Sequence, residues 1–269
     1  MNSTTTILRK IRHILSVYLL DIIFVSCTLA YPLWQEKTYA SNPEIIFLNV
    51  GQGDSILVQQ GKHQMLIDAG PDDSAIFSLS KYMPWYDRDI DILVLTHPHE
   101  DHIGGMYSVL EKYNVKKIYY NPVDYDNAGY RFLLQNYSDI LIPVSSGDNV
   151  RIDDIFGIVI YPFKKDTLQE QSQNINNESI VMLLYINEKK ILLMGDAEQE
   201  VEEKIIDLSF LNNVFILKAG HHCSKSSSSD EFVKKISPEI AVCSCGRDNK
   251  FGHPSRETLE KFEKYGIKY

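Results

Sequence analysis

From residue 44 onward the chain reads as short apolar runs punctuated by turn residues, and later as such runs alternating with helical stretches. Residues 44–59 contain a strand, a Gly51-Gln52-Gly53 turn and a second strand. Residues 63–68 form a third strand, closed by Ala69-Gly70. Residues 89–96 (DIDILVLT) are apolar enough for a buried strand that ends at a loop. Residues 104–113 have helical spacing, with Met106, Val109 and Leu110 on one face. Further strands are predicted over 117–120, 141–144, 156–161, 179–186, 190–194, 214–218 and 239–244, and helices over 198–208, 230–236 and 254–264. Hairpin-like strands followed by alternating helices and strands predict a layered α/β domain with mixed sheets.

The N-terminal 40 residues have a different pattern. Arg9, Lys10 and Arg12 form a basic head, followed by an apolar run from Ile14 to about Leu33 that Asp21 interrupts. This is the layout of a signal peptide, and Thr38-Tyr39-Ala40 offers a cleavage site. The run is also close to the ~20 residues a membrane span requires. An aspartate at a span's centre costs about 2.5–3.5 kcal/mol. Residues 1–40 are therefore expected to be a signal peptide or membrane anchor, and residues 41–269 the working domain, exported or held at the outer face of the membrane.

Composition narrows the class. With 44% hydrophobic and 23% charged residues the chain is globular. Its net charge of −9 argues against a broad electrostatic grip on nucleic acid. Residues 1–40 hold four basic and two acidic side chains, so the remainder is more acidic still, at −11. Four cysteines are too few for a disulfide scaffold. In an oxidising compartment, Cys223, Cys243 and Cys245 leave one thiol unpaired, or all three reduced or buried.

The chemistry concentrates at strand ends. Directly after the buried strand comes Thr96-His97-Pro98-His99-Glu100-Asp101-His102. Three histidines and an aspartate in six residues supply nitrogen and oxygen ligands for zinc or a similar ion. His221 and His222 follow another strand, and His222 suits either metal ligation or proton transfer near neutral pH. Lys218 at that strand's end is a candidate phosphate contact or a solvated lysine. Asp54 is a candidate for orienting substrate or ligand, or a plain turn residue. Ser224–Ser229 fits a helix cap before Asp230. Gly51-Gln52-Gly53 is not a nucleotide loop, because no helix opens after it.

The His-x-His-x-Asp-His pattern resembles that of the metallo-β-lactamase superfamily. Leu192-Leu193-Met194-Gly195-Asp196, Phe251-Gly252-His253-Pro254 and Leu66-Ile67-Asp68-Ala69-Gly70 follow the family's order. More closely, the chain resembles the C-terminal hydrolase domain of ComEC-type competence proteins. Asn49-Val50-Gly51-Gln52-Gly53-Asp54-Ser55, Asn177-Glu178-Ser179 and Lys218-Ala219-Gly220-His221-His222-Cys223-Ser224 carry that likeness.

The resemblance implies a four-layer αβ/βα sandwich with its site along one edge, between two β-sheets. It implies one or two divalent ions, zinc or manganese. His97 and His99 would hold the first, Asp101, His102 and His253 the second, and Asp196 would bridge them. Asp68 would support the ligands, and Asp54, Asn177, Lys218 and His221 would lie around them or against substrate. The implied reaction is hydrolysis, with Asp101 holding the attacking hydroxide and His222 protonating the leaving group. A phosphodiester, in single-stranded DNA or a small compound, is the favoured substrate. The alternatives are an exported, non-catalytic or degenerate metal-binding module, or a hydrolase of a lactone, thioester or β-lactam.

Three departures from the pattern stand out. The third histidine of the first ion position is missing; Asn176, Asn177 and Ser179 occupy that stretch, which suggests a weaker position, one firmly held ion, or a preference for manganese. Cys223 replaces a glycine, which strains the backbone if φ is positive there. The sequence stops at Tyr269, in what would be the next strand, so either a trimmed domain or a truncated protein is expected.

Overall fold

The computed structural model describes residues 16–31, 42–164 and 171–269. Residues 16–31 form a helix, α1, all of whose residues are exposed. Among the described residues no helix is long and apolar enough to cross a membrane. The basic head and the Thr38-Tyr39-Ala40 segment lie outside the described residues.

Residues 42–269 form a separate unit built on two six-stranded sheets. The first takes the order β1 (Glu44–Phe47), β2 (Ile56–Gln60), β3 (His63–Ile67), β5 (Ile92–Leu95), β7 (Ile118–Tyr120), β8 (Leu141–Pro143). The second takes the order β14 (Ile240–Val242), β13 (Ile216–Lys218), β12 (Lys189–Leu193), β11 (Val181–Ile186), β10 (Ile155–Tyr161), β9 (Asn149–Ile152). A small parallel pair joins β4 (Asp89–Ile90) to β6 (Asn114–Val115).

Strand alternation divides the apolar residues among three cores. Ile56, Val58, Met65, Ile67 and Val94 of the first sheet meet Val159, Met182, Leu184 and Leu193 of the second. Their neighbours Leu57, Leu66 and Leu93 point the other way. There they pack on α2 (Ser74–Tyr82), α4 (Met106–Lys112) and α5 (Ala128–Asn136). Leu183, Leu192 and Leu217 likewise face α6 (Gln199–Ile205), α7 (Asp230–Ile236) and α8 (Arg256–Lys264). Both sheets are thus covered on their outer faces, giving the expected layering of helix, sheet, sheet and helix. Truncating a fully buried leucine such as Leu57 or Leu192 costs roughly 2–5 kcal/mol.

The predicted helix over 104–113 is α4, and a separate one-turn helix, α3 (Glu100–Ile103), precedes it. Between them, Gly104 and Gly105 press against the carbonyls of Pro71 and Ala69, where a Cβ would sit 2.2 Å from each oxygen. The Ser224–Ser229 prediction holds: the Ser229 hydroxyl accepts from the Phe232 N–H and caps α7. Past α8 the chain returns to the second sheet, with Lys268 bridging Ile240 in parallel.

Candidate metal centre

The site lies where strand ends of the two sheets meet. β3 delivers Asp68, β5 leads to Thr96 through His102, β12 leads to Gly195-Asp196, and β13 leads to Lys218 and the His221-His222 turn. The Gly51–Asp54 turn closes against the histidine loop: the Asp54 N–H donates to the Asp101 carbonyl at 3.2 Å. A Cβ on Gly53 would sit 2.2 Å from that same oxygen, so only glycine permits the approach.

Asp101, His102, Asp196 and His222 offer ligand atoms that all lie within 4.8 Å of one another. His102 Nε2 is 3.3 Å from Asp196 Oδ1, and His222 Nε2 is 3.2 Å from Asp196 Oδ2 and 3.1 Å from Asp101 Oδ2. His97 Nε2 is 3.9 Å from Asp196 Oδ2. Donors that share one ion at roughly 2.0–2.2 Å are spaced in this way.

Each imidazole is held by its other nitrogen. His102 Nδ1 lies 2.8 Å from Asp68 Oδ2, and Asp68 also accepts from the Thr96 N–H and hydroxyl. His222 Nδ1 lies 2.8 Å from the Ser244 carbonyl. His97 Nδ1 lies 3.3 Å from each of two hydroxyls, those of Thr96 and Ser179. Such contacts fix the tautomer and turn Nε2 toward the ion. Among the described residues, His97 Nε2, His102 Nε2 and Asp196 Oδ1 are buried and lack a hydrogen-bond partner. A buried polar atom left unpaired costs about 1–3 kcal/mol, so three at one point call for a shared partner. A divalent cation fits these donors.

The electrostatics agree. Burial disfavours a charged His102, yet the Asp196 and Asp68 carboxylates push it up to about 10. Burial works against His222 too, but Asp196 and Asp101 raise it well above the usual imidazole range. Burial also opposes an ionised Asp196, which His222 and His102 nevertheless hold well below the carboxylate range. His97 goes the other way: burial, and then His102, keep it well below its ordinary value and hence neutral. The cluster therefore attracts positive charge, and without an ion protons supply it.

The remaining predicted residues take distinct places. His99 is half-buried, lines the cleft and packs edge-on to His97 at 4.7 Å between ring centroids. His253 is not in the quartet: its ring stands 6.3 Å from that of His222 and 5.4 Å from that of His221. The structure brings His222, rather than His253, to Asp101, His102 and Asp196, because the Ser244 carbonyl aims it there. Lys218 is wholly buried and cannot reach a phosphate in the cleft. It donates to the Gly195 carbonyl at 2.9 Å, pairs with Asp54 and stands 3.8 Å from Asp196 Oδ1. Asp54 is likewise buried and supports the site from beneath. Asn177 receives the Glu198 N–H and donates to Glu200, which sets the start of α6. His221 Nδ1 lies 2.9 Å from Glu198 Oε1.

Glu198 has no counterpart in the sequence reading, where it looks like an ordinary acidic residue at a helix start. The backbone strain at Cys223 is present, with φ +62, and His221 and His222 precede it at +44 and +53. A disulfide from Cys223 to Cys243 ties this turn to the end of β14, and Cys245 is a free cysteine.

A model of the metallo-beta-lactamase superfamily matches residues 48–247. ComE operon protein 3 of Bacillus subtilis is 27% identical over 91% of this chain, which spans only 34% of that relative. The exodeoxyribonuclease WalJ of Streptococcus pneumoniae is 31% identical over 26% of each protein. The crystal structure of the metallo-beta-lactamase fold protein YhfI from Bacillus subtilis superposes with a TM-score of 0.56 at 14% identity, covering 82% of this chain and 94% of that one. The family match, the layered sheets and the histidine–aspartate cluster agree, and the chain belongs to the metallo-β-lactamase superfamily.

Proposed function

We propose that this metallo-β-lactamase-fold protein is a metal-dependent hydrolase of phosphodiester bonds, acting on short or single-stranded nucleic acid. The observation that carries the reading is the buried convergence of Asp101, His102, Asp196 and His222 on one point beside His97. These residues would hold one or two divalent ions, zinc or manganese. When bound, such an ion lowers the pKa of water toward ~7 and polarises the scissile oxygen.

The chain's own groups do the rest. Asp68 and the Ser244 carbonyl fix the histidines, so the donors need no rearrangement. Lys218 balances Asp54 and Asp196 from below and leaves Asp196 ionised. Asp101, whose side chain keeps 29% exposure, would hold the attacking hydroxide.

A cleft of about 920 Å³ opens over the cluster, lined among others by Gln52, His99, Asp101, Lys250 and Phe251. Phe251 is 57% exposed, stacks on His253 at 5.9 Å and carries Lys250 Nζ 5.2 Å from its ring centre. An aromatic face beside an ammonium suits an unpaired base and its phosphate. The likeness to WalJ, an exodeoxyribonuclease by name, points the same way. The acidity of the domain favours a short contact over a long duplex track.

We take residues 41–269 as the hydrolase domain and residues 1–40 as a leader or anchor placing it outside the cytosol. The Cys223–Cys243 disulfide supports that placement, because such bonds persist in oxidising compartments.

The test assays the purified protein on single-stranded DNA, bis(p-nitrophenyl) phosphate, a lactone and a β-lactam, with manganese, zinc or chelator. Metal-dependent turnover of the two phosphodiesters is expected, and Phe251→Ala should weaken the DNA reaction by roughly 1–3 kcal/mol per stacked base while sparing the small compound. Turnover of the lactone or β-lactam alone would replace the phosphodiester reading. Ion binding with no turnover of any substrate would point to the non-catalytic module.

A further inference from the structure

Three carboxamide side chains line the cleft over the cluster, and what each one meets decides which end it offers. Asn176 donates from Nδ2 to Glu198 Oε1 at 3.1 Å, so oxygen is its free end. Gln52 is the reverse. Its Oε1 accepts the Gly246 N–H at 3.2 Å, and because a backbone N–H can only donate, the Nε2 amine is left as the free end. Asn49 repeats the pattern, its Oδ1 accepting the Gly51 N–H at 3.3 Å.

Gln52 is held from both sides. Gly53, the next residue, presses on the Asp101 carbonyl, and a Cβ on Gly246 would lie 3.2 Å from the Gln52 backbone nitrogen, so two loops close directly on the glutamine. The loop that carries Gly246 is clasped internally. Asn249 donates from Nδ2 to the Gly246 carbonyl at 2.7 Å and accepts the Phe251 and His253 N–H groups at 3.0 Å each. This loop follows Ser244, whose carbonyl aims His222, and it presents Lys250 and Phe251 to the cleft. Gln52 therefore joins the wall that carries Asp101 to the wall that carries Lys250 and Phe251. Charge narrows what its amine can receive. Besides Asp101 and Asp196, the cleft is lined by Asp72 and Glu100, and Lys250 is the single lysine or arginine among the described lining residues. A dianionic terminal phosphate is repelled by those carboxylates about twice as strongly as a monoanionic diester, which neutral donors can hold.

We propose that Gln52 Nε2 receives a non-bridging oxygen of the substrate's phosphoryl group, and that this uncharged donor makes the site selective for phosphodiesters over phosphomonoesters. The inference rests on the phosphodiester reading above. Gln52 binds and orients substrate and takes no part in holding the ions.

The experiment measures steady-state kinetics of the manganese-loaded full chain on bis(p-nitrophenyl) phosphate and on p-nitrophenyl phosphate, for the parent, Gln52→Glu and Gln52→Met, with ion content determined for each. The parent should prefer the diester by kcat/KM. Gln52→Met carries no charge and loses the donor, and should raise KM for the diester about 10-fold. Gln52→Glu keeps the shape and the acceptor for the Gly246 N–H but turns a carboxylate oxygen to the cleft, and should raise KM about 100-fold with kcat little changed. Both variants should hold as many ions as the parent. If Gln52 only fastened the Gly246 loop, the order would be reversed, with Gln52→Glu like the parent and Gln52→Met impaired. That order overturns the inference, as does a parent that hydrolyses the monoester at least as well as the diester, or loss of ions from Gln52→Glu. A parent that hydrolyses neither compound overturns the phosphodiester reading, and this inference falls with it.

Discussion

Asp68 Oδ2 lies 2.8 Å from His102 Nδ1, and this contact decides which nitrogen of His102 faces the ion position. Asp68 sits at φ +58, a conformation that aspartate and asparagine tolerate better than other residues with a Cβ. Asp68→Asn therefore fits the backbone but replaces a carboxylate with an amide that holds the imidazole proton poorly. The expected outcome is a 10–100-fold loss of ion affinity with little change in thermal stability of the ion-free protein, read by metal titration and calorimetry.

The ion-free protein should have a distinctive pH profile. Burial opposes a charged His102, but Asp196 and Asp68 raise its folded pKa to about 10, above the ordinary 6.5. A raised pKa means that the folded state holds the proton more tightly than the unfolded one. The resulting stability is fully present below about pH 6.5 and is lost as pH rises through about 10. Unfolding midpoints of chelated protein should fall between pH 7 and 10. Saturating ion should flatten the fall, because the ion displaces the proton. Ion affinity should drop as pH is lowered.

Lys218 tests the support beneath the site. Its ammonium pairs with Asp54 and faces Asp196 with no exposure to solvent. Lys218→Met leaves two buried carboxylates without their cation and should cost about 3–5 kcal/mol in denaturant unfolding. Adding Asp54→Asn removes one of those charges and should recover a large part of the loss. A double variant no more stable than the single one would contradict the pairing.

How much of this was legible beforehand depended on whether a feature is local. β3, β5 and the histidine loop could be read because their pattern and their chemistry are contiguous. α5 was not anticipated: only Tyr130 and Leu133 of it are buried, too few for a helical stripe, and the Asn127 cap alone marks its start. α2 and β9 were missed as well; β9 buries just Val150 and Ile152. The role of Lys218 could not be read, because a strand-end lysine looks solvated until the fold brings Asp54 to it. The exchange of His253 for His222 has the same origin. Spacing offers both histidines, and only the distant Ser244 carbonyl selects one. Asn176 and Asn177 are neighbours of the same residue type, and nothing short of the position of α6 separates their tasks.

The disulfide makes a graded prediction about Cys223. It closes a 20-residue separation, for which cross-linking contributes about 3 kcal/mol. Cys243→Ser loses that contribution and leaves a residue with a Cβ at φ +62. Cys223→Gly loses the same cross-link but suits the left-handed backbone. The glycine variant should therefore be the more stable of the two by about 1 kcal/mol, and it should retain more ion affinity because His222 is the preceding residue. Equal stability of the two in denaturant would contradict the strain.

The central claim is that one buried cluster holds a divalent ion and that Asp196 is shared by its histidines. Elemental analysis of the purified protein and of Asp196→Ala, each dialysed against limiting manganese and zinc and assayed on bis(p-nitrophenyl) phosphate, tests it most directly. The parent should retain one to two ions per chain and hydrolyse the phosphodiester only while they are bound, and Asp196→Ala should lose both ions and activity while remaining folded by circular dichroism. A parent that retains no ion, or whose hydrolysis is indifferent to chelator, would contradict the account.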